Sequence, residues 1–258
     1  MKDYLKSTVN QLKNFSLSLD KKSILIDKPW AMIDEEFELQ KLIFKKNKEL
    51  ILSKNGKVEI GKWDYFPEAR SLLIDRNTDK ILCNEGFIDS GVLILKLDGT
   101  DSKFFILANE NIVPGLDTVK YLSKLRKEQL NIGLLELEDG REVEIHMLNG
   151  NNKKIESICE GQRITEGLDE IEDSFVKVKN SGHSYYIKNG RISNIYIKRN
   201  FKLKEGNILE IHQLIAGHNS HGDRAYIDSM PAPDGVYKIG MLRSVTVKNG
   251  KIKKDIVK

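Results

Sequence analysis

Leu5, Val9, Leu12 and Phe15 recur every three or four positions, the spacing that puts side chains on one face of a helix. The pattern predicts a short amphipathic helix over residues 3–15, within an N-terminal segment 1–22. From residue 24 to 110 the period changes to two, in short apolar runs: WAMID, KLIF, ELILS, VEIGKWDY, SLLID, KILCN, GVLILKL and KFFILA. Turn signals separate them, among them Asn55-Gly56, Asn77-Thr78-Asp79 and Asp98-Gly99. Asn-Gly and Asp-Gly supply the positive φ angles of tight hairpins, so each run reads as a strand. A meander of about eight such strands over residues 23–115 closes into a barrel or folds into an antiparallel sandwich.

Pro114-Gly115 then ends the strand pattern, Asp117 is placed to cap a helix, and Val119, Leu122 and Leu125 mark one helical face. A connector helix is expected over 116–130, within a connecting segment 116–132. Beyond it the chain repeats itself. LELEDGREVEIHML at 135–148 aligns without a gap on FKLKEGNILEIHQL at 201–214, matching Leu137 with Leu203, Gly140 with Gly206, Glu144-Ile145-His146 with Glu210-Ile211-His212, and Leu148 with Leu214. Gly161 and Arg163 match Gly222 and Arg224, Asp173 matches Asp234, and Asn189-Gly190 matches Asn249-Gly250. Residues 133–196 and 199–256, within a domain 133–258, read as a tandem duplication of one β unit. A unit of about 60 residues buries little core alone, so the copies are expected to pack on each other about a pseudo-twofold axis.

Composition narrows the class. With 40% hydrophobic and 31% charged residues, the chain is neither disordered nor membrane-spanning in character. The opening residues contain no signal-peptide core, and a cytoplasmic location is expected. A net charge of +4 on 258 residues is too small to imply nucleic acid by itself. Cys83 and Cys159 lie far apart without C-x-x-C spacing, which predicts two small buried hydrophobes and no disulfide framework or zinc ribbon.

Candidate chemistry is sparse. His218, His221 and Asp223 fall within GHNSHGDR and have the residue types of a zinc-like site, although a flexible glycine-rich loop is the plainer reading. His146 and His212 occupy matching strand positions, which favours imidazoles hydrogen-bonded at the edge of the core. No nucleophile elbow, P-loop or dinucleotide fingerprint occurs. NEGFIDSG and PEARSLLIDRNTD contain carboxylates whose pairing the sequence leaves open. Between residues 177 and 204, basic side chains including Arg191 alternate with Tyr185, Tyr186, Tyr196 and Phe201. Such a surface can stack bases, but an acidic run from Glu156 to Asp173 precedes it. Cross-strand ion pairs therefore explain both runs better than nucleic acid does.

Two resemblances add expectations. Gly61-Lys62-Trp63 inside a meander resembles the G-x-W element of lipocalin-like barrels over roughly residues 30–110. It sits in the third or fourth strand rather than the first, so no ligand residues carry over; Trp30, Phe44 and Trp63 are the aromatics that would line a pocket for a small apolar ligand. Pro231-Ala232-Pro233-Asp234-Gly235 with Tyr237, followed by Val247-Lys248-Asn249-Gly250-Lys251-Ile252, resembles the short β modules of phage head-assembly proteins, which implies an assembly or protein-binding role. The chain is thus expected to be mainly β: an antiparallel lipocalin-like meander barrel or sandwich, a connector helix, and a tandem-duplicated small β domain. The leading functional expectation is a non-catalytic module, without cofactor, that binds another protein or itself through Tyr185, Tyr186, Arg191, Tyr196 and Tyr237. A carrier of a small apolar ligand is the second expectation, and a metal-dependent or other hydrolase the third.

Overall fold

The computed structural model describes residues 2–33, 39–100, 103–147 and 158–257. The chain forms two compact units, Met1–Gln129 and Leu130–Lys258. The first begins with helices α1 (Lys2–Leu17) and α2 (Lys21–Leu25), then eight antiparallel strands: β1 (Trp30–Ile33), β2 (Leu39–Phe44), β3 (Glu49–Lys54), β4 (Lys57–Phe66), β5 (Ser71–Asp75), β6 (Lys80–Ile88), β7 (Val92–Leu97) and β8 (Phe104–Asn109). Each of the eight apolar runs forms a strand. They pair in chain order, and β1 closes the barrel on β8 through Trp30 opposite Asn109 and Ala31 opposite Ala108. Asn55 and Gly56, both at positive φ, make the tight β3–β4 turn.

Strand alternation explains where this core sits. In β4, Gly61, Trp63 and Tyr65 point inward and are buried, while Lys62 and Phe66 are exposed. They meet Trp30, Phe44, Leu50, Leu72, Leu93 and Leu95 in one apolar cluster that also takes in Leu25. In the run GVLILKL, by contrast, both faces of β7 are buried. Leu93 and Leu95 face the barrel interior, whereas Val92 and Ile94 join Phe87, Ala108, Leu12, Leu122 and Leu125 on the outside. The helices that cover this face are α1 and α3 (Thr118–Gln129). The Asp117 carboxylate accepts the Lys120 N–H at 3.0 Å and caps α3. The helix read as a connector therefore packs on the barrel as part of the first unit. The short helix α2 is absent from the sequence reading; Asp20 caps it by accepting from Lys22 and Ser23 N–H at 3.1 and 3.4 Å. Among the described residues, no helix is long and apolar enough to cross a membrane.

The second unit contains β9 (Ile132–Glu136), β10 (Glu142–His146), β11 (Ile164–Glu166), β12 (Asp169–Glu170), β13 (Ser174–Lys177), β14 (His183–Lys188), β15 (Arg191–Lys202), β16 (Ile208–Gln213), β17 (Arg224–Ile227), β18 (Met230–Pro231), β19 (Gly235–Lys238), β20 (Arg243–Lys248) and β21 (Lys251–Val257). One sheet runs β12-β11-β10-β9; the other runs β13-β14-β15-β16-β17-β21-β20-β19, with β18 on β17.

The positions matched in sequence carry matching geometry. Asp173 accepts the Asn189 N–H at 2.7 Å, and Asp234 accepts that of Asn249 at 2.6 Å. Gly161 N–H donates to the Ile192 carbonyl at 2.7 Å, as Gly222 does to Ile252 at 2.8 Å. The register shifts between Tyr186 and Ile187 in one half and between Thr246 and Val247 in the other. Arg163 bridges Arg191 where Arg224 pairs with Lys251. Asn189-Gly190 and Asn249-Gly250 both hold positive φ at both residues. The match at Leu148 and the acid Glu156 lie outside the described residues. No loop links the two halves: twelve-residue β15 pairs with β14 through its first part and with β16 through its second.

Candidate functional site

The register of β15 brings β14 and β16 to either side of it, with Ser184 opposite Tyr196 and His212 opposite Lys198. At this junction His212 lies 2.6 Å from Glu210 through Nε2 and 2.5 Å from Ser184 Oγ through Nδ1. A carboxylate only accepts, so Nε2 carries a proton and donates it to Glu210, while the serine hydroxyl, which can donate or accept, partners Nδ1. Serine, histidine and glutamate are the types of a nucleophilic triad. Here, however, Ser184 and His212 are 0% exposed, and the Glu210 carboxylate is held by Lys177 at 3.0 Å and Lys198 at 3.5 Å. The Phe175 ring stacks on Tyr226 at 6.4 Å and meets His212 and Tyr196 edge-on, while the Arg224 guanidinium lies over the same ring at 4.5 Å. Burial alone would raise the Glu210 pKa, yet hydrogen bonds with His212 and Lys177 outweigh it and bring the group down to about 2. The cluster is a polar tie between the halves; its serine has no path to a substrate.

Lys177, Lys179 and Lys198 form ion pairs, but chiefly with Glu136, Glu138 and Glu210 rather than with the acidic run expected to match them. Strand register decided these partners. Among the residues expected at an interaction surface, Tyr185 is corrected: it faces the core at 1% exposure, where burial pushes its phenol up to about 12. Its neighbour Tyr186, on the opposite side of the strand, is half-buried, as are Tyr196 and Tyr237. Tyr237 donates its hydroxyl to the Pro233 carbonyl at 2.8 Å. Arg191 is exposed and donates to the Gly161 carbonyl at 2.8 Å. These residues do not share one face.

The histidine loop is not brought together as a metal set. Asp223 is 2% exposed and accepts the Ser220 and Leu214 N–H groups at 2.7 and 3.1 Å, whereas His218 and His221 are exposed. Among the described residues no three His, Cys, Asp or Glu side chains converge as metal ligands. The matching residue in the first half, Gln162, is also buried and also accepts an N–H three residues upstream, that of Cys159 at 3.0 Å. Gln162 and Asp223 are therefore loop anchors at matching positions. Cys83 is buried as expected; Cys159 is exposed, because it precedes this anchor in a loop instead of lying in a strand.

Trp30, Phe44 and Trp63 lie in the barrel core, with Phe44 and Trp63 edge to face at 5.2 Å. Both indole N–H groups are engaged, Trp30 with the Leu25 carbonyl at 3.2 Å and Trp63 with that of Lys45 at 3.0 Å. Gly61 owes its presence to a close approach: a Cβ there would sit 2.1 Å from the Asp75 carbonyl oxygen. The stretches NEGFIDSG and PEARSLLID do meet, because Ser71 pairs with Asn84 across β5 and β6. Buried Glu85 accepts from Tyr65 at 2.8 Å and lies 3.6 Å from Lys21 and 3.8 Å from Arg70. Lys21 also donates to the Ser16 carbonyl, to Ser16 Oγ at 3.1 Å and to the Ile88 carbonyl at 3.3 Å. Burial lowers its pKa, with Glu85 opposing the shift. Two clefts of about 370 and 390 Å³ flank this knot, sharing Arg70 and Glu85. With its ammonium donors directed at Ser16 and Ile88, Lys21 staples the helices to β6.

The largest apolar exposure lies elsewhere. Met230, Val236, Met241 and Leu242, all between β18 and the start of β20, are 70, 67, 88 and 62% exposed. Strand β19, which carries Val236, is the last in its sheet. Sequence reasoning pointed to this stretch through Pro231–Gly235 and Tyr237 but not through its exposed apolar residues, for which the apolar turn after Gly240 was the available signal. Comparison with protein-family models, curated proteins and solved structures finds no match for this chain.

Proposed function

We propose that the chain is a non-catalytic cytoplasmic protein-binding or assembly module whose second unit, a duplicated β domain, carries the contact surface. The observation that carries this reading is the exposure of Val236 on the terminal strand β19 and of Met241 and Leu242 in the turn that follows it. Large apolar side chains exposed on and next to an edge strand favour a macromolecular partner, and a sheet edge offers backbone groups to it. The engaged indoles and the apolar side chains clustered in the barrel core favour this role over a carrier, and the buried serine and histidine favour it over a hydrolase.

Native mass spectrometry of the protein from its own cells tests the reading. The expected result is a complex with a second protein or with further copies of the chain that is lost in the variant Met241→Asp/Leu242→Asp. A bare monomer, or a monomer retaining a lipid-sized molecule, would overturn it.

A further inference from the structure

The two halves differ at one seam. In the first half, Leu137 bridges Val178, Glu138 N–H donates to the Lys177 carbonyl and Lys179 N–H to that of Glu136, both at 2.9 Å. With the Arg163–Arg191 bridge this closes β9-β10-β11-β15-β14-β13 into a ring. The equivalent seam in the second half lies between Lys202-Leu203-Lys204 and Lys238-Ile239-Gly240. No backbone hydrogen bond crosses it among the described residues; the Gly240 N–H turns instead to the Arg243 carbonyl at 3.2 Å. Burial agrees. Leu137 and Val178 are 1 and 2% exposed, whereas their counterparts Leu203 and Ile239 are only partly buried.

Charge accounts for the difference. The closed seam has glutamates on one side and lysines on the other: Lys179 pairs with Glu136, and Lys177 lies 4.0 Å from Glu138. In the second half, the positions of Glu136 and Glu138 are taken by Lys202 and Lys204, and that of Lys177 by Lys238. All three are exposed. Lysines on both sides repel where opposite charges would join the strands. One acid, Glu205, lies near the Tyr237 hydroxyl, and Asp234 beside it is engaged by Asn249.

We propose that this seam is a docking site for an acidic extended segment of a partner protein, which adds as a strand along the β19 edge with its carboxylates on Lys202, Lys204 and Lys238. The inference rests on the binding-module reading and deepens it. Backbone pairing along an edge supplies affinity, and side chains at alternate positions supply selectivity. Val236 on β19 and Leu203 and Ile239 at the seam give the incoming strand an apolar surface.

The test is a fluorescence-anisotropy titration of the full chain with a labelled peptide of alternating valine and glutamate, about eight residues long, the length of an ordinary strand. Controls are the valine-lysine counterpart, the acidic peptide with a central proline, and an oligothymidylate of equal charge. The variant Lys202→Glu/Lys204→Glu restores the first half's pattern. It should weaken the acidic peptide roughly tenfold or more and increase amide exchange protection at Lys238–Gly240 as the seam closes. Proline or the lysine peptide should bind no better than the variant does. Equal binding of the oligothymidylate, or a variant that binds the acidic peptide unchanged, would overturn the proposal, as would a homodimer in sedimentation that the variant abolishes. If the peptide fails while the complex sensitive to Met241→Asp/Leu242→Asp persists, the acidic-strand inference falls and the binding module stands; loss of both removes both.

Discussion

At the scale of single residues, Glu210 makes the clearest claim on stability. Its folded pKa of about 2 lies below the ordinary value of 4.5, so the folded state favours the carboxylate more than the unfolded state does. The stabilisation is complete above about pH 4.5 and is lost as pH falls through about 2. A shift of this size corresponds to on the order of 3 kcal/mol. In Glu210→Gln, urea midpoints of the second unit should lose this part of their acid dependence; a variant whose pH profile parallels that of the parent would contradict the assignment. Buried Asp223 works in the opposite sense, since burial raises its pKa, which is why the comparison with the variant is more telling than the total profile. This tie was only half legible in the sequence. The matched positions of His146 and His212 indicated a structural imidazole, but Ser184 is 28 residues away and becomes its partner only through the register of two hairpins.

At the scale of elements, all eight barrel strands could be read because period two and Asn-Gly or Asp-Gly turns agree along the meander. The double-sided burial of β7 was also written in its unbroken apolar run, the mark of a strand covered on both faces. Helix α2 could not be read so easily. It has five residues, too few for periodicity, and one of its two buried residues is a lysine, which pattern reading assigns to solvent. Only the knot with Ser16, Ile88 and Glu85 makes that burial tolerable. Helix α3 was legible at its start, where Asp117 satisfies an otherwise free N–H. Replacing Asp117 with alanine should lower the stability of the first unit by about 1 kcal/mol, read from its thermal or denaturant midpoint; an unchanged midpoint would mean that packing on Leu122 and Leu125 alone fixes the helix.

At the scale of the whole molecule, each unit has its own apolar clusters: two around the barrel and its helices, two in the halves that follow. A chain beginning at Leu130 should therefore retain slow amide exchange in β14, β15 and β16; uniformly fast exchange there would show that the second unit depends on the first. The matches at Gly140, Arg163, Asp173 and Asn189-Gly190 pointed to positions with matching geometry, while the open seam was hidden because it depends on hydrogen bonds that are missing. The shared strand β15 has one more consequence. Because the two halves meet within a continuous strand, a single inserted residue near Ile197 would, unless taken up as a bulge, exchange the faces of the remaining residues of β15, which pair with β16. Chain length at the junction is thus constrained by parity: additions of two residues preserve the faces that β15 presents to β16, and additions of one reverse them.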